Sequence, residues 1–337
     1  MIKRGIQYLV GFSGVIYLLM TGVVVSAESN VNFSVEAIPN EFQVDSGVTY
    51  FDLRIPPEQR TDMKIRIYNH GSDDQSYLVS LRNATTNGNG LIVYEEKGPL
   101  TLAEVSLSEL ARVSEKPITI KAGESKIVSL KLTLPKRAIE GVLLAGIEIK
   151  KQDKPEEASA EVGVQSRQAY VIGVKVRSSI REIEPDLLFE GVKATSYLSR
   201  PSVLVTLANQ APAISEKFQV EAVVKKGGKV IVRKEMTAQF APTTYMTFPL
   251  TSMGILKPGT YQLDVKVIGK EKNWTWQDDF TISEKQVEQM KKTVPDVEQH
   301  PNSFLGDTSK MLMIVSLSII VLLLGYIYHL KRKASSE

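Results

Sequence analysis

Between residues 51 and 282 the chain returns repeatedly to strict alternation of apolar and polar side chains, and a period of two belongs to strands. Phe51, Leu53 and Ile55 alternate with Asp52 and Arg54; Met63, Ile65 and Ile67 alternate with Lys64 and Arg66. Val128, Leu130, Leu132 and Leu134 do the same against Ser129, Lys131 and Thr133. The pattern puts one face on a core and the other in water, as in an antiparallel sandwich. Asn69-His70-Gly71, Asn87-Gly-Asn-Gly90 and Ala122-Gly123 supply turns between strands. The strand spacing predicts an immunoglobulin-like sandwich. Leu102, Val105, Leu110 and Val113 break the alternation and, with Glu104, Glu109 and Arg112 between them, predict a short amphipathic helix in a loop.

Lys150 to Ala160 is charged and nearly free of large apolar side chains, which fits either an interdomain linker or a long loop. Gly146-Ile-Glu-Ile149 before it and Tyr170 to Val176 after it read as two arms of a hairpin, so a mobile loop over 150–162 within the first domain is expected. The first sandwich then covers 28–179 and the second 180–283. Pro201 to Ala208, Phe218 to Val224, Lys229 to Arg233, Tyr261 to Val267 and Trp274 to Ile282 repeat the strand pattern, with a hairpin around Gly227-Gly228. Ser283 with Gln286 three residues on is a capping-box start for a short helix ended by Pro295, placed here in a stalk over 284–310. The expected class is all-β, with two tandem immunoglobulin-like β-sandwich domains.

The ends point to export. Met311 to Leu330 is a run of twenty uncharged residues. At about 1.5 Å per residue, a helix of that length covers the roughly 30 Å hydrocarbon core of a bilayer. A transmembrane helix over 311–330 is expected, with Lys331, Arg332 and Lys333 holding the 331–337 tail in the cytoplasm. Lys3 and Arg4 precede an apolar stretch from Ile6 to Val25, and Val25-Ser26-Ala27 offers small residues for cleavage. Residues 1–27 read as a signal peptide cut after Ala27, an uncleaved anchor being the alternative. The expected location is the cell membrane, single-pass, with the ectodomain outside.

Of the 41 basic and 38 acidic residues, Lys3, Arg4, Lys331, Arg332, Lys333 and Glu337 belong to those ends. The remainder holds 36 basic and 37 acidic side chains, a net of −1. A near-neutral ectodomain gives no electrostatic reason to expect nucleic acid as a partner. There is no cysteine. An exported chain of this size without disulfides suggests a Gram-positive bacterial surface protein.

Few residues of the chain suggest chemistry. His70 sits in a turn, His300 in the expected stalk and His329 at the expected membrane interface, so no metal site or Ser-His-Asp arrangement suggests itself. His70-Gly-Ser-Asp-Asp74 invites a calcium reading, but Asp and Ser making turn hydrogen bonds is the simpler one. Glu95-Glu96 and Glu156-Glu157 are adjacent, so on a strand each doublet would point to opposite faces and not pair two acids. No catalytic residue, metal ligand or cofactor site is assigned. The candidates for ligand binding are Trp274 and Trp276, which share one face of an alternating segment, and Asn87 and Asn89. A core role is the default for the tryptophans; an exposed aromatic strip for sugars or a partner is the alternative. No Leu-Pro-x-Thr-Gly sorting signal precedes the apolar run.

Several segments together carry a family resemblance. They are Tyr50-Phe-Asp-Leu-Arg-Ile55, Asn83 to Gly90 followed by Ile92 and Tyr94, and Leu134-Pro135 leading to Gly141-Val-Leu-Leu-Ala-Gly-Ile147. Tyr170-Val-Ile-Gly173, Gln239-Phe-Ala-Pro242, Pro258-Gly-Thr-Tyr261 and Trp274-x-Trp276-x-x-x-Phe280 add to them. From Phe33 to Ile282 the chain resembles the WxL-interacting proteins of Gram-positive bacteria. The resemblance implies a non-enzymatic surface adaptor or adhesin. Its first sandwich would bind peptidoglycan, its second a host matrix protein, and the whole would associate with a surface protein bearing a Trp-x-Leu wall-binding motif. Two departures stand out: Ile55-Pro-Pro-Glu58 replaces a common Pro-Gly turn, and Ala145-Gly146 a common Gly-Gly. A second function class is a chaperone-like assembly factor that lends a strand, with the hairpin flanking the Lys150 to Ala160 loop as its candidate edge. A wall hydrolase is a third and lacks a catalytic constellation.

Overall fold

The computed structural model describes residues 32–94, 102–113, 117–152, 169–293 and 316. The expected signal peptide with its Ala27 site, the tail residues Lys331, Arg332 and Lys333, the expected 311–330 span apart from Ser316, and most of the 150–162 loop lie outside the described residues. Among the described residues, no helix is long and apolar enough to cross a membrane. The chain divides into two compact units, one comprising the residues to Ala84 and Tyr94–Ile183, the other Thr85–Val93 and the residues from Glu184 on.

The first unit is built from two sheets. One runs β1 (Phe33–Ile38), β3 (Arg60–Asn69), β8 (Ser125–Thr133), β6 (Ala111–Arg112) in spatial order. The other runs β2 (Phe51–Arg54), β10 (Ala169–Arg177), β9 (Leu143–Lys151), β4 (Gln75–Thr86), β5 (Ile92–Tyr94), with β7 (Ile118–Ile120) also pairing with β4. The alternation explains the core: Met63, Ile65 and Ile67 of β3 and Leu130 and Leu132 of β8 are fully buried, and so are Leu53, Ile147 and Val174 of the facing sheet. The intervening positions of β8, such as Ser129 and Lys131, stay exposed.

Three features depart from the sequence reading. Strand β10 pairs antiparallel with β9 but parallel with β2, Val174 lying opposite Phe51, so the unit is not purely antiparallel. A parallel partner leaves no local turn in the sequence, because its connection is a long crossover. Strands β9 and β10 are both interior, so the proposed edge for strand lending does not exist there. The expected amphipathic helix over 102–113 shrinks to one turn, α1 (Leu107–Leu110), where the Glu109 carboxylate accepts from the Ser106 backbone N–H at 2.8 Å. The chain leaves that turn at once to pair as β6 with β8.

The second unit also has two sheets, β11 (Leu187–Tyr197), β12 (Arg200–Asn209), β15 (Thr244–Thr251) and β14 (Lys229–Gln239), β13 (Lys217–Lys226), β16 (Gly259–Ile268), β17 (Asn273–Ile282), each in spatial order. Phe240, Phe248, Val205, Leu263 and Val267 fill its core. Gly227 and Gly228 take φ of 55° and 77°, the left-handed pair that a two-residue hairpin between β13 and β14 requires. The capping box forms at α2 (Glu284–Thr293), with the Ser283 N–H donating to Gln286 Oε1 at 2.9 Å. This helix is part of the second unit and not of a stalk: Val287 and Met290, one turn apart, join its core.

Candidate functional site

On the outer face of the β9–β10 pair, Gly146 stands directly opposite Gly173. The ring of Tyr94 occupies the space left by the missing side chains. A Cβ on Gly146 would meet Tyr94 Cγ at 2.7 Å, and one on Gly173 would stand 3.7 Å from both Tyr94 Oη and Tyr50 Cβ. Burial pushes the Tyr94 phenol above its ordinary pKa. Tyr50 beside it is 41% exposed. Charges flank the two rings on this face. Glu148 accepts from Arg82 Nε at 3.2 Å and Ser80 Oγ at 3.3 Å and pairs with Lys150 Nζ at 2.9 Å, while Asp52 pairs with Lys175 at 3.5 Å and Arg177 at 3.2 Å. Burial raises the Glu148 pKa, but the hydrogen bonds and charges of Lys150 and Arg82 outweigh it and hold the carboxyl below its ordinary value. The ionic groups of this face pair with one another, which makes it a structural floor with aromatic relief.

The other sheet of this unit opens differently. At the ends of β1, β3 and β8 lies a cleft of about 640 Å³, lined by Ile38, the Pro39-Asn40-Glu41 turn, Arg60 to Asp62, Lys64 and Lys131 to Thr133. Asn40 builds its rim: its Nδ2 donates to Thr61 Oγ1 and to the Asp62 carbonyl, both at 3.2 Å, and its Oδ1 accepts the Phe42 N–H at 3.0 Å. The register sets Asp62 opposite Lys131 and Lys64 opposite Ile38. Arg60, Asp62 and Lys64 alternate along β3, so all three project from the solvent side of a strand whose Met63 and Ile65 are buried. Among the described residues, Glu41, Arg60, Asp62, Lys64 and Lys131 form no ion pair.

The four residues singled out from sequence fall in the second unit. Trp274 is 9% exposed and part of the core, its ring 5.2 Å from that of Phe218 and 5.1 Å from Lys272 Nζ. Trp276 is half-buried and packs against the same core. Their register partners explain this, since Trp274 lies opposite Val267 and Trp276 opposite Val265, both buried. An open aromatic strip is therefore not formed at Trp274. Asn87 closes its own turn, its Oδ1 accepting the N–H groups of Asn89 at 3.0 Å and Leu91 at 3.1 Å. Asn89 is exposed at the tip. Gly90, at φ 75°, seats this turn on β14: a Cβ would stand 2.7 Å from Ala238 Cα, and its carbonyl accepts the Gln239 N–H at 2.8 Å. The tryptophans and the turn are not brought to one site.

In the His70 segment, the ring Nε2 hydrogen-bonds Ser34 Oγ at 2.7 Å and Asp74 Oδ1 accepts the Ala122 N–H at 3.2 Å. Among the described residues, no cluster of three or more His, Asp or Glu suited to a metal occurs. Sequence reasoning named no cleft residue as a candidate. Its members come from three strands far apart in the chain, and only their register brings the charges together.

Comparison with known proteins places these units. The peptidoglycan binding domain of the WxL Interacting Protein family matches residues 33–151, and its host binding domain matches 159–292. Among curated proteins none matches this chain. Among solved structures it is similar to the chaperone–tip adhesion subunit pre-assembly complex of the archaic Csu pili of Acinetobacter baumannii, at 13% identity over 66% of this chain and 93% of that one, with a TM-score of 0.31. It is similar also to the E. coli chaperone DraB, at 13% identity over 68% and 92% of the two chains, with a TM-score of 0.27. At such scores the likeness carries no weight for fold or function. The second family match begins before β10, a strand that completes the sheet of the first unit between β2 and β9. With both domain matches in succession from residue 33 to 292, the chain belongs to the WxL Interacting Protein family.

Proposed function

We propose that this chain is a membrane-anchored adaptor of the bacterial cell surface. Its first unit holds peptidoglycan, and its second reaches a WxL-domain surface protein or a host matrix protein. The observation that carries the reading is the succession of two binding domains of one family along residues 33–292. Separate hydrophobic cores in the two units support a division of labour between them. Both domains are described by what they bind, and the reading assigns no catalysis. In it, residues 1–27 direct export, 311–330 anchor the chain and Lys331, Arg332 and Lys333 keep the tail in the cytoplasm.

Two measurements test it. Full-length protein should be captured by a WxL-domain surface protein encoded in the same organism, and protease added to intact, wall-stripped cells should release a fragment of about two domains. Failure of capture would remove the adaptor role, and protection of the fragment would reverse the topology.

A further inference from the structure

The cleft between the ends of β1, β3 and β8 offers what a peptide bearing both charges needs. We propose that it receives the stem peptide of peptidoglycan, with Lys131 and Arg60 taking a carboxylate and Asp62 the side-chain ammonium of the diamino acid. The inference rests on the reading that the first unit binds peptidoglycan, and it names the part of the polymer that is recognised.

Six observations carry it. Glu41, Arg60, Asp62, Lys64 and Lys131 put both signs of charge on one concave surface, and among the described residues none is neutralised by an ion pair. Asp62 and Lys131 lie directly opposite each other in the β3–β8 register, where an opposite-charge pair would ordinarily close, yet they do not pair. The uncharged polar residues of the lining are Asn40, Thr61 and Thr133, and the two threonine hydroxyls suit peptide N–H and C=O groups. Asn40 is held rigidly by its three hydrogen bonds, so the rim is preorganised. A volume of about 640 Å³ is within the range of roughly 300–1,000 Å³ typical of ligand clefts. Among the described residues no aromatic ring lines it, so a sugar has no stacking face there and the glycan strand is a poor occupant.

The test is calorimetric titration of the full chain in detergent with a synthetic L-Ala-γ-D-Glu-L-Lys-D-Ala-D-Ala pentapeptide, and separately with an N-acetylglucosamine tetramer. Sedimentation with insoluble peptidoglycan runs alongside. The pentapeptide should bind and the tetramer should not. Asp62→Asn and Lys131→Gln should each weaken pentapeptide binding tenfold or more, while Glu36→Gln, on the same sheet outside the cleft, should not. Acetylating the lysine of the peptide should weaken it for the wild type and add nothing to Asp62→Asn. Circular dichroism checks that these surface variants are folded. Binding of the tetramer in place of the peptide, or peptide binding indifferent to both cleft variants, would overturn the proposal. Sedimentation with peptidoglycan but no pentapeptide binding would sink the cleft while leaving the peptidoglycan reading intact; absence of both would remove the two together.

Discussion

The ring of Tyr94 lies against Gly146: a methyl group there would stand 2.7 Å from Tyr94 Cγ and 2.6 Å from Val171 Cγ1. One position earlier, the methyl of Ala145 points into the core and is fully buried. The departure from Gly-Gly noted in the sequence thus falls on the position that tolerates a side chain, and the glycine kept is the one the aromatic ring requires. Gly146→Ala should displace Tyr94 and destabilise the first unit by roughly 1–3 kcal/mol, as overpacking does. Thermal unfolding measures the loss, and Ala145→Gly serves as the comparison on the core side.

Glu58 occupies the other departure, with φ of 62°, a left-handed conformation that costs a residue bearing a Cβ about 1–2 kcal/mol. Its salt bridge to Lys136 is 4.0 Å long and largely exposed, so it offsets little. Glycine relieves the strain but brings about 0.5–1 kcal/mol of extra chain entropy. Glu58→Gly should therefore stabilise the protein by about 0.5–1 kcal/mol, net of the two effects. A lower denaturation midpoint for the variant would contradict this.

Asn209 is a buried clamp. Its Nδ2 donates to the Ala213 carbonyl at 2.8 Å and the Ala241 carbonyl at 3.0 Å, and its Oδ1 accepts the N–H groups of Asp186 and Ala211 at 3.3 Å. Asn209→Ala strands several backbone groups where water cannot reach them and should cost roughly 3 kcal/mol or more. The two tryptophans of the chain, Trp274 and Trp276, both lie in the second unit, so intrinsic tryptophan fluorescence reports its unfolding selectively.

Glu148 links stability to pH. Its folded pKa lies below the ordinary value, so the folded state binds fewer protons than the unfolded chain in the window between the two. The stabilisation is complete above the ordinary glutamate pKa and is lost as pH falls through the folded one. Glu148→Gln should cost about 1–3 kcal/mol at neutral pH, as loss of charged hydrogen bonds does. Urea midpoints of wild type and variant should converge on acidification, and a gap that persists undiminished at low pH would assign the effect to packing.

How much of this was legible follows from which interactions are local. Alternation placed Phe51, Leu53, Ile55, Met63, Ile65 and Ile67 on a core face, and all six are fully buried. The capping box at Ser283 was local too, but the docking of Val287 and Met290 depends on a surface assembled elsewhere. Asn69 read as a turn residue, and it turns out, like Asn209, to be a buried hydrogen-bond hub at a strand end. The parallel β2–β10 pair and the convergence of Asp62 with Lys131 have no local signature, because strand register decides both. The β10 strand also has a practical consequence. A fragment ended at residue 151 would lose Ile172, Val174 and Val176 from the first core, so domain deletions belong after Ile183.

The central claim, that the first unit grips the cell wall, is tested most directly by sedimenting the full chain with insoluble peptidoglycan, with and without substitutions in the two units. The account predicts co-sedimentation that Asp62→Asn combined with Lys131→Gln abolishes and that Trp276→Ala in the second unit leaves intact. A chain that stays in the supernatant, or one whose sedimentation depends on the second unit alone, would contradict it.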